Sequence, residues 1–305
     1  VPLSLLSAAL AALLLDALLG EPRRAHPLVL VGRLAAWLEQ RGNREGGSVL
    51  AGGVALLLVI LPILSLLVWL LAGLPEWAGW GVQAIGLWLV IGARSLVEHG
   101  RAVEQPLMAG DVETARQRVA WIVSRDCEAL DDEGIAKAAT ESVLENGADA
   151  IFASLFWFLV AGLPGAVLHR LVNTLDAMWG YRTARFERFG KVAARLDDLL
   201  GWLPARLTAL SYALCGHFSA ALRCWRQQAS GCDSPNAGPV MAAGAGALQV
   251  RLGGVTRYHG RWKEKPELGE GQQASAHAIG AAIRLIHRSL LLWIAIMMLL
   301  LVAGA

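Results

Sequence analysis

Uncharged stretches alternate with polar ones along this chain, and their lengths sort it into spans and surface segments. Residues 49–74 contain no charged side chain. At 1.5 Å per residue they exceed the ~30 Å hydrocarbon core, which predicts a transmembrane helix. Residues 77–93 are again uncharged after a Pro75-Glu76 turn, and they carry the chain back to Arg94, His99 and Arg101. Residues 289–305 form a third such run, read as a C-terminal anchor. Residues 3–19 form a further apolar run with Asp16 near its end. That run lacks the basic leader and A-x-A pattern of a signal peptide, so a retained helix is expected. Arg23, Arg24, Arg33, Arg41 and Arg44 follow it. By the positive-inside rule, 20–48 and 94–150 are expected to be cytoplasmic and 75–78 external.

Two apolar segments are weaker. Residues 150–163 end at Pro164 and continue through His169 and Arg170, and residues 203–222 contain Arg206 and His217. Runs this short suit re-entrant or core helices better than spans. If 150–172 crossed the membrane, the Arg-rich 182–206 would also lie outside. The expected fold is therefore an all-α polytopic integral membrane protein, one integral membrane domain over 1–305. Its four transmembrane helices lie near 3–19, 49–74, 77–98 and 287–305, with re-entrant or interfacial helices at 150–172 and 203–222. Cytoplasmic helical segments fall in 100–149, 173–202 and 223–286. Within these, 111–124 places Val112, Ala115, Val119 and Ile122 on one helical stripe. Asp131 or Asp132 can cap the next helix, and 258–273 (YHGRWKEKPELGEGQQ) reads as a loop.

Composition agrees with the pattern. The chain is 55% hydrophobic and 17% charged, against about 25% charged in soluble domains. A net charge of +2 is too small to argue for nucleic acid. The four cysteines form no CxxC pair and read as reduced packing residues. P-loop, dinucleotide-fingerprint and nucleophile-elbow motifs are absent.

Polar chemistry is concentrated around the 150–172 segment. Glu141, Glu145 and Asp149 recur at i, i+4 and i+8 and so are expected on one helix face, with Asn146 beside them. Such a face is either solvated or neutralised by Mg²⁺, a cationic substrate or arginines. A second cluster holds Asn173 and Asp176 at i, i+3, then Arg182, Arg185, Arg188, Lys191 and Arg195, then Asp197-Asp198. Arginines clamp phosphates and carboxylates, and paired aspartates can hold a Mg²⁺ that bridges phosphates. Ser234 and Asn236, in SPNAG, form a turn that could offer backbone N–H groups to an anion.

These stretches together resemble the adenosylcobinamide-phosphate synthase family, the CbiB/CobD-type membrane proteins of cobalamin biosynthesis. The resemblance rests on Asp16-x3-GEP…HPLVLVGR to Arg33, SRDCEAL (124–130), ATESVLENGADAIFASLFW (139–157), LPGAVLHRLVNTLDAMWGYR (163–182), FGKVAARLDDLLGWLPARLTAL (189–210) and SPNAGPVMAAGAGALQVRLGG (234–254). GEP stands where the family usually has GDP. The resemblance implies an ATP- and Mg²⁺-dependent amide ligase joining adenosylcobyric acid to (R)-1-aminopropan-2-yl phosphate or threonine phosphate. It implies a bacterial inner-membrane protein with its site on the cytoplasmic face. The partners are the two substrates, membrane lipid and either further copies of the chain or other membrane-bound enzymes of the pathway, with no nucleic acid. Within that resemblance, Asp197 and Asp198, with Glu141 or Glu145, are expected to hold Mg²⁺. Arg182, Arg195 and Arg206 bind phosphates, Glu145 or Asp149 handles the amine, and Asn146 and Asn173 hydrogen-bond the reacting carboxylate. Asp16, His26 and Arg33 face the corrinoid. Asp176, and Arg125 and Asp126 of SRDCEAL, complete the expected site, with Ser234 and Asn236. The competing reading is an AmpE-like inner-membrane signalling protein that keeps the topology without this polar set.

Overall fold

Among the described residues, four helical stretches are long and apolar enough to cross a membrane: Val49–Gly73, Glu76–Met108, Asp132–Trp179 and Ala276–Gly304. The protein is an all-α polytopic membrane protein with one small sheet. The computed structural model describes residues 1–22, 26–44, 47–258 and 260–304. Arg23 and Arg24, counted above among the basic residues after the first helix, and His259 of the 258–273 segment lie outside these. Three segments read as spans fall within the four stretches. The first, Leu3–Leu19, is a shorter helix of 17 residues, and the third stretch, Asp132–Trp179, instead includes 150–172.

In chain order the elements are α1 (Leu3–Leu19), α2 (Pro27–Gly42), α3 (Val49–Gly73), α4 (Glu76–Val90), α5 (Ala93–Met108), α6 (Val112–Val119), α7 (Asp132–Asn146), α8 (Ser154–Trp179), α9 (Lys191–Cys215), α10 (Phe218–Gln228), α11 (Ala237–Leu248), β1 (Val250–Tyr258), β2 (Arg261–Leu268), β3 (Gln272–Gln273) and α12 (Ala276–Gly304). A π-helical turn, Gly147–Ala153, joins α7 to α8. The contacts divide the chain into two compact units. One holds Val1–Gly92, Asp149–Gly201 and Met298–Ala305, and the other Ala93–Ala148 and Trp202–Met297.

In the first unit α8 packs on α1, α2, α3 and α4. Its core gathers Val31 and Ala35 of α2, Leu56, Val59 and Ile60 of α3, Leu171, Leu175 and Trp179 of α8, and Phe189. The α8 segment is not one rod. Ala161 and Gly162 leave helical geometry, with Gly162 at φ +64°, a region that glycine enters without a Cβ penalty. A Cβ on Gly165 would lie 2.5 Å from the Trp157 carbonyl oxygen, whereas eight residues of straight helix would separate the two positions by about 12 Å. The chain therefore turns back at 161–162, where Pro164 also lacks an N–H to continue the ladder.

Two further glycines let the 180–190 segment seat against this core. A Cβ on Gly190 would stand 1.8 Å from the Trp179 carbonyl oxygen, and one on Gly52 would stand 1.8 Å from that of Phe189. Backbone cannot yield to this as a side-chain tip can. Gly190→Ala is expected to lower stability by at least the ~1–3 kcal/mol of an overpacked core. Thermal unfolding in detergent measures it.

In the second unit α7 packs on α5, α6, α11 and β1, and α10 packs on α11. Asp131 caps α7, accepting from the Gly134 N–H at 2.8 Å. Two expectations are corrected. The helix expected over 111–124 ends at Val119, and beyond it the Ile122 carbonyl accepts from the Ser142 hydroxyl at 2.8 Å. The segment expected as a loop at 258–273 is largely strand. β1 and β2 form an antiparallel hairpin pairing Thr256 with Lys263 and Tyr258 with Arg261. β3 pairs parallel to β1 through Val250 and Gln272. The high charge of β2 masked a strand that is largely solvent-facing.

Candidate functional site

The first unit concentrates the polar set of α8 and α9. Asn173 Nδ2 donates to Asp197 Oδ1 at 3.3 Å, bridging the two helices. Asp176 lies one turn beyond Asn173, close enough to Asp198 for their charges to repel. The Gly180 N–H closes the end of α8 on the Asp176 carbonyl at 2.6 Å. Burial pushes the Asp198 carboxyl above its ordinary value, against the pull of the Arg195 and Arg182 guanidiniums. Both arginines are exposed. Asn173, Asp176, Arg182, Arg195, Asp197 and Asp198 therefore belong to one patch.

The donor set there is oxygen-rich and suits Mg²⁺, which keeps several waters and takes one or two carboxylates plus substrate phosphate. Among the described residues no group of three or more His, Cys, Asp or Glu is placed to hold a metal by itself. A Mg²⁺ at Asp197 and Asp198 would thus draw its other ligands from water and phosphate.

The acids of the ENGAD motif do not form one stripe. Tyr212 donates its hydroxyl proton to the Leu144 carbonyl at 3.0 Å. A Cβ on Gly147 would meet that hydroxyl at 2.8 Å. The tyrosine thus occupies the groove where the α-helical ladder would continue, and the wider π turn follows. The i, i+4, i+8 relation holds only in an unbroken α-helix, so it fails at Asp149. Glu141 and Glu145 belong to the second unit and Asp149 to the first. Asn146, exposed, donates to the Ser142 carbonyl at 2.8 Å and to its hydroxyl at 3.0 Å.

Glu141 is engaged on both oxygens. Arg125 pairs with Oε2, and the Gly253 N–H donates to Oε1 at 2.8 Å. Lys265 Nζ lies 3.9 Å away. The pair is almost wholly buried, with side-chain exposures of 9% for Arg125 and 4% for Glu141, and it fastens the SRDCEAL loop to α7 and to β1. Asp126 adds to this seam, its carboxylate accepting from the Gly260 N–H at 2.7 Å and its own N–H donating to the Arg257 carbonyl at 2.9 Å. Beside the loop lies a cleft of about 940 Å³ lined by Arg125, Asp126, Lys137, Arg257 and Trp262.

Arg206, expected on phosphate, holds the SPNAG turn. Its guanidinium donates to Asn236 Oδ1 and to the Pro235 carbonyl, both at 3.1 Å. Ser234 Oγ accepts from the N–H groups of Asn236 and Ala237 at 3.2 Å, so those N–H groups already have a partner. Asp16 is buried in α1. His26 caps α2, its Nδ1 accepting from the Leu28 N–H at 3.3 Å, and Arg33 is exposed on α2.

Sequence reasoning missed three first-unit groups. Arg170 lies within α8 with Glu21 and Asp149 close enough to stabilise its charge. Its Nε is buried without a hydrogen-bond partner among the described residues. An arginine in an apolar segment was a signal for it, since such residues are rare unless used. Glu39 of α2 and Asn43 were invisible, because their partner, Arg185, is more than a hundred residues away. Arg185 forks onto Glu39 through Nε and Nη2, each at 2.9 Å. Asn43 Nδ2 donates to Glu39 Oε1 at 2.8 Å and to the Arg185 carbonyl at 2.9 Å.

A family model described as CobD/Cbib protein matches residues 9–286. The chain belongs to the CobD/CbiB family. Three relatives carry the name "Cobalamin biosynthesis protein CobD". The one from Stutzerimonas stutzeri is 57% identical over 97% of this chain and 98% of its own length. That from Chromobacterium violaceum is 54% identical over 93% of each. That from Mycobacterium tuberculosis is 41% identical over 88% of this chain and 87% of its own. No solved structure matches. In this CobD/CbiB chain, the first unit gathers Arg182, Arg195, Asp197 and Asp198 in one patch, and the second carries a cleft beside a locked loop.

The Glu39 fork makes a pH prediction. The Arg185 hydrogen bond pulls the Glu39 carboxyl below its ordinary value, against burial, with Asn43 adding to the pull. A carboxyl lowered in the folded state contributes stability in full above the ordinary value of 4.5 and loses it as pH falls through the folded value below that. Thermal unfolding of the protein and of Glu39→Gln is expected to differ most near neutral pH and to converge on acidification below about pH 4.

Proposed function

We propose that this protein is an ATP- and Mg²⁺-dependent amide ligase of cobalamin biosynthesis. It joins a propionate carboxylate of adenosylcobyric acid to (R)-1-aminopropan-2-yl phosphate or threonine phosphate, giving adenosylcobinamide phosphate. The observation that carries the reading is the convergence at Asp198: a partly buried carboxylate flanked by Arg182 and Arg195, beside Asp197, Asn173 and Asp176. A carboxylate is a poor acyl donor until it is phosphorylated or adenylylated. Either activation needs cation clamps and positioning more than covalent protein chemistry.

In this reading Arg182 and Arg195 bind phosphate oxygens, and Asn173 donates to the reacting carboxylate. Mg²⁺ would be held by Asp197 and Asp198 and would neutralise charge on the phosphates. Asp149, in the same unit as Asp198, takes the proton that the amine loses as it attacks the activated carbonyl and phosphate or AMP departs. Glu141, with both oxygens occupied, fastens the SRDCEAL loop. The site faces the cytoplasm in the bacterial inner membrane.

The test is an assay of the purified full chain in detergent with ATP-Mg²⁺ and adenosylcobyric acid, offering each amine in turn. Product formed with stoichiometric ADP or AMP is expected. Absence of product with both amines, from protein that unfolds cooperatively, would sink the reading.

A further inference from the structure

The 180–190 segment leaves the end of α8 and returns to α9. It displays Arg182, Arg185 and Arg188 as exposed side chains. Its far end is anchored. Phe189 is fully buried and meets Trp179 edge-on with ring centroids 5.1 Å apart. The Gly190 N–H donates to the Phe186 carbonyl at 2.8 Å. Its middle has a different tether, the fork from Arg185 to Glu39. Asn43 braces that fork from both sides, bonding the Glu39 carboxylate and the Arg185 carbonyl. Glu39 is itself 6% exposed, so the fork is fixed at a rigid helix and not at a mobile surface chain. Three residues before Arg185, Arg182 stands where its charge acts on Asp198.

We propose that Glu39 is a positioning residue: through Arg185 it holds the 180–190 arm so that Arg182 stays beside Asp198 to bind a phosphate-bearing substrate. The assignment rests on the phosphate-clamp reading of the Asp198 patch. A freely moving arm would have to be ordered each time a phosphate bound, at a cost in affinity. A tethered arm has met that cost during folding. Bidentate geometry matters here, since it fixes direction as well as distance. The tether acts on binding, so its loss should raise KM for the phosphate-bearing substrate and leave kcat nearly unchanged.

The experiment uses the full chain in detergent with Glu39→Gln, Arg185→Ala and the charge-swapped pair Glu39→Arg/Arg185→Glu. Affinity for ATP-Mg²⁺ and for inorganic pyrophosphate is measured by equilibrium binding, and amide exchange is followed across 180–190. Both single variants are expected to weaken binding about tenfold, the scale of one charged hydrogen bond, and to speed exchange in the arm. KM should rise with kcat within about threefold, and the swapped pair should recover part of the lost affinity. Faster exchange with unchanged affinity would overturn the proposal, as would wild-type protein that binds neither phosphate ligand. Arg185 is exposed, so its variant reports even where Glu39→Gln fails to fold. Binding is read apart from turnover. Protein that binds pyrophosphate through the arm but forms no amide would refute the ligase reading and leave the positioning role standing.

Discussion

Replacing Asp198 with alanine is expected to abolish amide formation while the protein still inserts and folds. The physical argument has two sides. Asp198 is penalised by burial, which holds its carboxyl above the ordinary value despite Arg195 and Arg182, and its charge repels that of Asp176. A group in that position contributes little to stability when ionised, so the variant should melt at or above the wild-type temperature. Removing it leaves two guanidiniums without their carboxylate and takes away one of the two adjacent aspartates assigned to Mg²⁺. The loss in turnover is expected to be about a thousandfold or more, the scale of several kcal/mol that a metal's charge supplies. Steady-state assay and thermal unfolding of the same preparation check both halves. Turnover near wild type would remove Asp198 from the mechanism. A large drop in melting temperature would make its role structural.

The second large effect is expected at Arg125 and Glu141, and it is one of stability. The pair is buried, and each member is the other's main charge partner, with the Gly253 N–H supporting the carboxylate. Glu141→Ala leaves a guanidinium and a strand N–H without their acceptor. Arg125→Ala leaves a buried carboxylate. Each single variant is expected to cost about 3–5 kcal/mol, because breaking a buried pair strands the remaining charge. Arg125→Met with Glu141→Leu removes both charges at similar volume and is expected to cost much less than the sum of the singles. Denaturant unfolding of the four proteins measures the coupling. Additive losses would show that the two side chains act independently. Activity need not return in the double variant, since the SRDCEAL loop would then be held by packing alone.

These expectations depend on contacts that differ in how far they could be read in advance. Local spacing carried the Asn173–Asp176 pair and the Asp197–Asp198 pair, because i, i+3 neighbours and adjacent residues stay together on any helix, while packing of α8 on α9 brought the two pairs together. It also carried the Asp131 cap, which is a relation over three residues. The same logic failed at Glu141, Glu145 and Asp149. A tyrosine hydroxyl more than sixty residues away takes the Leu144 carbonyl and changes the helix type between the second acid and the third. It failed differently at Arg206, whose charge suggested an anion but whose guanidinium is committed to the carbonyls and amide of the SPNAG turn. The β1–β2 hairpin was missed because a strand exposed on most of its positions has no apolar alternation to show.

The sequence by itself determined that the chain is a helical membrane protein, since uncharged runs of sufficient length have no other low-energy environment. It also determined the family, through motifs spread in order across the chain, and the chemical character of the polar clusters. Only the tertiary structure decided which side chains are already committed to one another. Glu141 is occupied by Arg125 and the Gly253 N–H, and the 180–190 arm is tied to Glu39. The reason is physical. A carboxylate's availability depends on the donors brought to it by distant chain, and those pairings are set by packing and not by spacing.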